Sequence, residues 1–231
     1  MNQKECLSWI ERDKKVVALC QHLTSFPLVV ESGSGDIIVD VDGNRYIDFL
    51  SSASSLNLGS SFPLVIDAIS EQIKKTTQYC TPYTYSKQMI EYAERLTSVY
   101  PGNVKAKICF GNSGSDASDA AIKFARAYTG RKKIISFINS YHGNTLGATS
   151  LSACTIRMRE KIGPLLPEIY HFTFKGCNDN FVSKNNLIGD IEQAFSTYLP
   201  PSDVAAVIIE PMQGDGGLSM ALPGFIHQLY A

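Results

Sequence analysis

The apolar positions of this chain follow two rhythms, and the switches between them predict its elements. In the stretch KICFGNSGSDASDAAIKFARAYTGRKKIISFINSYHGNTLGATSLS, residues 107–152, a short apolar run at Ile108, Cys109 and Phe110 predicts a strand. The turn Gly111-Asn112-Ser113-Gly114-Ser115 breaks it. Ala117, Ala120, Ala121, Phe124, Ala125 and Tyr128 then recur at helical spacing, which predicts a helix packed on a sheet through that stripe. Ser113 with Asp116 three residues on fits a capping box, and Gly130 fits the stop. A continuous apolar run at 133–138 predicts a second buried strand, of the parallel type. Residues 205–209 predict a third, preceded by a helix carrying Leu187, Ile191, Ala194 and Tyr198.

The flanking segments are plainer. Residues 3–24 predict a helix with Leu7, Ile10, Val17 and Leu19 as docking positions, either on its own core or on a neighbour. Residues 37–49 predict two strands joined around Asp42-Gly43. Asp40, Asp42 and Asn44 hint at a calcium loop, but the glycine position and terminal glutamate of such a loop are wrong. Two helices follow, with core stripes at Val65, Ile66, Ile69 and Ile73 and at Met89, Ala93 and Leu96. Between them, the aromatic loop at 79–85 lines a pocket, an interface or simply the surface. Residues 153–186 predict a long irregular excursion.

Composition narrows the function classes. At 231 residues and 44% hydrophobic content, the chain can bury a sizeable core. A net charge of −1 without a long basic run argues against a nucleic-acid partner. The N-terminal residues mix charge with apolar positions and read as neither signal peptide nor membrane span. Six scattered cysteines without C-x-x-C spacing argue for reduced thiols in a cytoplasmic protein, and against zinc.

The predicted strands end in polar or glycine-bearing turns after Phe110, Ile138 and Ile209. In open α/β sheets, ligands bind beyond the carboxyl ends of parallel strands, so three such turns predict a ligand crevice. The first turn offers helix-terminal N–H groups and the Ser113 and Ser115 hydroxyls to a phosphate. It has neither the P-loop Lys nor the dinucleotide G-x-G-x-x-G pattern. The second offers the Tyr141 ring for stacking and the His142 imidazole. The third offers Glu210 and, in a glycine-flanked loop, Asp215. Each has a plain structural reading as well: a capped helix, a turn aromatic, a solvent-facing imidazole, a surface acid. A phosphorylated aromatic ring would use all three turns at once.

Two segments, FGNSGSDASDAAIKFARAYTGRKKIISFINSYHGNTLGATSLS and VIIEPMQGDGG, closely resemble the class III aminotransferases of pyridoxal-phosphate fold type I. DVDGNRYIDF and residues 59–72 also resemble that family, so the likeness spans nearly all of 30–231. The run KIGPLLP, residues 161–167, resembles most the amino-acid racemases and epimerases of the isoleucine 2-epimerase kind within it. The resemblance implies an α/β fold, a mostly parallel sheet flanked by helices, of which the C-terminal half is absent. It further implies an N-terminal arm and small-domain hairpin over 1–60 and the first part of a large cofactor domain over 61–231. Pyridoxal 5'-phosphate is the implied cofactor, with Ser113, Gly114 and Ser115 at its phosphate, and with Tyr141, His142 and Glu210 around its ring. Asp215 falls in the substrate pocket, where many transaminases carry a longer glutamate. The Schiff-base lysine of the family lies downstream of EPMQGDGG, and none of Lys105, Lys107, Lys123, Lys132, Lys133, Lys161, Lys175 or Lys184 stands in its context. Implied partners are an amino acid or amine, a keto acid and a second copy of the full-length chain. The leading expectation is amino-group transfer by the intact protein, with this 231-residue chain, which lacks the Schiff-base lysine, inactive on its own. Epimerisation is the alternative, and an inactive fragment with an association or phosphate-binding role is the rival.

Overall fold

The computed structural model describes residues 2–22, 26–102, 105–178 and 186–231, in two compact units, Met1–Arg95 and Leu96–Ala231. In the first, the antiparallel strands β1 (Val30–Ser34), β2 (Ile37–Asp40) and β3 (Arg45–Ile47) form a meander, the last two joined around Asp42-Gly43 as the sequence predicts. Asp40 is buried there and its carboxylate accepts from the Asn44 amides, the Asp42 N–H and the Tyr46 hydroxyl. Burial works against ionisation, but those donors hold it below the usual carboxylate range. Asp42 accepts the N–H groups of Glu5 at 3.0 Å and Cys6 at 2.8 Å, which ties α1 (Lys4–Val16) to the hairpin. The helix predicted over 3–24 is therefore shorter: Val17 turns extended, and residues 23 and 24 lie outside the described residues. Its buried anchor is Cys6, while Leu7 and Leu19 are exposed.

Ser51–Ser54 (α2) is a left-handed turn in which all four φ angles are positive. Pro63 opens α3 (Pro63–Ile73), where a missing N–H costs nothing. The predicted core stripe of α3 is open to solvent: Val65, Ile66, Ile69 and Ile73 are all exposed. Met89, Ala93 and Leu96 of α4 (Lys87–Ser98) are half-buried, and Tyr79, Tyr83 and Tyr85 of the aromatic loop are exposed.

In the second unit, β4 (Lys133–Phe137) is central and pairs in parallel with β5 (Ile169–Phe172) and β6 (Val204–Val207). Three sequence expectations are corrected here. Residues 108–110 are not a strand, although the apolar run reads as one, because pairing decides strand formation as much as side-chain type. Residues 169–172, predicted irregular, form β5, whose mixed sequence Ile-Tyr-His-Phe is too short to show a period. Most of the stripe of α5 (Gly114–Thr129) is open to solvent, with Phe124 58% and Tyr128 93% exposed and only Ala120 and Ala125 half-buried; the buried residue of the helix is Ile122.

The alternation of β4 sends its side chains to two cores. Ile135 and Phe137 pack on one face with Phe172, Phe174, Phe225 and α7 (Gly189–Thr197). Ile134 packs on the other with Ile122 and with Leu151 of α6 (Leu146–Leu151). Phe137 lies edge-on to Phe174 and Phe225, with ring centroids 6.3 and 5.6 Å apart. The hairpin β7 (Met212–Gln213) and β8 (Ser219–Met220) follows β6, and α8 (Phe225–Tyr230) supplies Phe225 to the first core. Among the described residues no helix is long and apolar enough to cross a membrane. Phe137→Ala is expected to lower stability by about 3–5 kcal/mol. Urea unfolding followed by circular dichroism measures it, and a loss below about 1 kcal/mol would contradict the central place given to that ring.

Candidate functional site

The site begins at the start of α5. Ser113 is extended and its hydroxyl accepts the Asp116 N–H at 3.2 Å, while Asp116 Oδ2 accepts the Asn112 N–H at 3.0 Å. The predicted capping box is therefore present with its return bond shifted one residue upstream. The N–H groups of Gly114 and Ser115 stand in the first turn of the helix, where no intrahelical acceptor exists. Nothing lies within 4 Å of the place where a Gly114 side chain would begin. That opening lets a bound group reach the backbone.

The second turn is fastened to this helix. Asn144 N–H donates to Ser115 Oγ at 2.9 Å, and Ser118 Oγ donates to the His142 carbonyl at 2.7 Å. Gly143 makes the approach possible: its φ is +124°, and a Cβ there would sit 2.3 Å from Ser115 Oγ. Ser115 Oγ accepts from Asn144, and its own proton meets no acceptor among the described residues. The backbone of His142 is held on its other side by Ser152 Oγ, which accepts the His142 N–H at 2.8 Å. The ring Nε2 of His142 is buried and has no partner among the described residues.

The third turn joins the second through one carboxylate. Glu210 Oε1 accepts the Tyr141 N–H at 2.6 Å, and Oε2 accepts the Gly214 N–H at 3.3 Å. Gln213 Nε2 donates to the Ile138 carbonyl at 2.8 Å. Hydrogen bonds thus bring Ser115, His142, Tyr141 and Glu210 into one continuous region, with Ser113 and Gly114 beside them on the chain. Asp215 is exposed in the loop beyond Gly214. Burial, followed by the Asp215 and then the Glu210 carboxylate, pushes the Cys154 thiol above its ordinary value, which places that thiol near both acids.

Several partners escaped the sequence reading. Ser118 and Ser152 bond the backbone of His142, and Asn144 acts through its own N–H, roles that no residue type announces. Gln213 carried one signal, a polar residue where the alternation of a short strand points inward. Of the lysines, Lys133 pairs with Asp203 at 3.1 Å and Lys175 with Asp190 at 3.5 Å. A groove of about 520 Å³ runs along α5, but its lining, with Asp119, Lys123 and Leu166, includes neither residues 113–115 nor Glu210.

Burial lowers the pKa of His142, and burial with the nearby Arg159 guanidinium lowers that of His171. A folded value below the unfolded one favours the neutral ring in the native state. That stability is complete above the ordinary value of 6.5 and is lost as pH falls through the folded values. The melting temperature is expected to drop on acidification from about pH 6.5 to 5, above the carboxylate range. The drop is expected to shrink in His142→Asn; an equal drop in both proteins would contradict the burial of that ring.

Comparison with known proteins gives a consistent result. Residues 20–231 match the family model described as aminotransferase class-III. The chain is 40% identical over 228 residues to an isoleucine 2-epimerase of Lentilactobacillus buchneri, covering 96% of this chain and 50% of that protein. It is 35% identical over 205 residues to a 5-aminovalerate aminotransferase of Pseudomonas aeruginosa, covering 89% of this chain and 48% of the relative. Among solved structures, the taurine:2-oxoglutarate aminotransferase of Bifidobacterium kashiwanohense, in complex with PLP and glutamate, superposes with a TM-score of 0.83. It is 27% identical, over 94% of this chain and 50% of that one. The chain spans about half the length of the relatives it matches.

Proposed function

We propose, from the premise that this chain belongs to the class-III aminotransferase family, that its second unit holds pyridoxal 5'-phosphate for amino-group transfer. The substrates are an amino acid or amine and a keto acid. The observation that carries this reading is the joining of the three turns by the Ser115–Asn144 and Glu210–Tyr141 bonds. Three features fit the cofactor. The backbone at Gly114 is open, the Ser115 hydroxyl keeps a proton to donate, and the buried Nε2 of His142 lacks a partner among the described residues. A buried polar atom without a partner is costly, and a ligand atom relieves it.

In this reading the N–H groups of Gly114 and Ser115, with the positive end of the α5 dipole, hold the phosphate. Ser113 caps the helix beside them. Tyr141 lies against the ring and excludes water from one face. Glu210 fixes Tyr141 from behind by its backbone. Asp215, exposed beyond Gly214, receives the cationic or hydroxyl group of the substrate. The bound cofactor supplies an electron sink for the charge left when the α-proton departs. A homodimer fits the open apolar faces of α3 and α5, and the six free thiols fit a cytoplasmic protein.

Epimerisation is the second reading, favoured by the 40% identity to an isoleucine 2-epimerase and by the short acid at position 215. Incubating the holoenzyme with a branched L-amino acid separates the two. Keto-acid formation that requires an added acceptor is the expected result; the opposite α-carbon configuration appearing without any acceptor would replace transfer by epimerisation. For the ring, Tyr141→Ala is expected to weaken cofactor binding roughly 3- to 10-fold, from about 0.5–1.5 kcal/mol per aromatic pair. Absorbance titration measures it, and unchanged affinity removes the stacking role.

A further inference from the structure

We infer that Gln213 is a positioning residue for the turn that carries Tyr141, acting from the interior of the neighbouring hairpin. The inference rests on the stacking role proposed for Tyr141. Hairpin β7–β8 turns its long apolar side chains outward and its polar ones inward: Met212 and Met220 are exposed, while Gln213 is 2% exposed. A glutamine so placed must satisfy its amide inside the fold. Its Nε2 donates to the carbonyl of Ile138, the residue that follows β4 and opens the second turn. The other side of the amide is enclosed by the loop that follows. A Cβ on Gly216 would lie 2.8 Å from Gln213 Oε1 and 2.9 Å from the Asn139 carbonyl.

Two residues three positions apart, Gln213 and Glu210, therefore bond the first part of the second turn. Gln213 takes the carbonyl of Ile138 and Glu210 takes the N–H of Tyr141. Between those points Asn139 adopts φ +66°, a conformation that residues bearing a side chain rarely take. A turn in that state persists only when its surroundings fix it. Asn139 N–H also donates to the Ala153 carbonyl at 3.1 Å and Ala153 N–H to the Ser140 carbonyl at 2.8 Å, so loss of the Gln213 bond frees the Ile138 carbonyl at the start of the turn while the rest of the turn stays tied. Methionine in place of Gln213 keeps length and burial but removes the donor. Alanine at Gly216 keeps the donor and presses on Gln213 Oε1 and on the Asn139 carbonyl from the loop side.

The test is the affinity of the 231-residue chain for pyridoxamine 5'-phosphate by calorimetry, with melting curves to confirm that each variant folds. Gln213→Met is expected to weaken binding roughly 2- to 10-fold, the range of one net hydrogen bond. In a Tyr141→Ala background the same substitution is expected to add nothing, because it acts through that ring. If Gln213→Met fails to fold, Gly216→Ala carries the same two expectations. Wild-type affinity in the folded variant, or a loss that adds in full to that of Tyr141→Ala, overturns the inference and leaves the stacking reading standing. Wild-type affinity in Tyr141→Ala itself removes the stacking reading, and this inference with it.

Discussion

One carboxylate ties the turn beyond β4 to the turn beyond β6 at two backbone atoms. Glu210 gives one oxygen to the Tyr141 N–H and the other to the Gly214 N–H, so two loops from different strands share a single carboxyl group. The bond at 2.6 Å fixes the backbone from which the Tyr141 ring projects. Glu210 thereby serves the ring as a strut.

The helix N-terminus is set by a separate contact, in which absence of a side chain matters most. Gly143 lets the second turn lie against Ser115, and Asn144 then donates to the serine hydroxyl. A donor into Ser115 Oγ leaves its proton for an outside acceptor, and an N-terminal helix dipole favours an anionic one. Local geometry and hydrogen-bond accounting support the phosphate proposed at this point.

How much of this the sequence disclosed depends on whether each feature is local. The capping serine, the glycine that ends α5 and the strand at 133–137 depend on neighbours in the chain, and they were legible. So was the clustering of chemistry in turns, because strand ends and glycines mark them. Strand pairing was not legible: residues 108–110 have strand-like side chains and no place in the sheet, while Ile169–Phe172 gains its place from the edge of β4. The stripe on α5 misled for a related reason. Periodicity shows that a face is apolar, and the structure shows that Ile122, off that stripe, makes the packing contact. The serine side chains that hold backbone atoms of distant turns leave no pattern, and Gln213 leaves only the inward alternation of a two-residue strand.

The account stands on a phosphorylated ring seated between the α5 N-terminus and Tyr141. The most direct measurement is the backbone amide NMR spectrum of the 231-residue chain during titration with pyridoxamine 5'-phosphate. Saturable shifts concentrated at Gly114, Ser115, Tyr141 and His142, with a downfield move of the Gly114 and Ser115 N–H protons, are the expected result. Saturable binding whose shifts leave those four amides in place would contradict it.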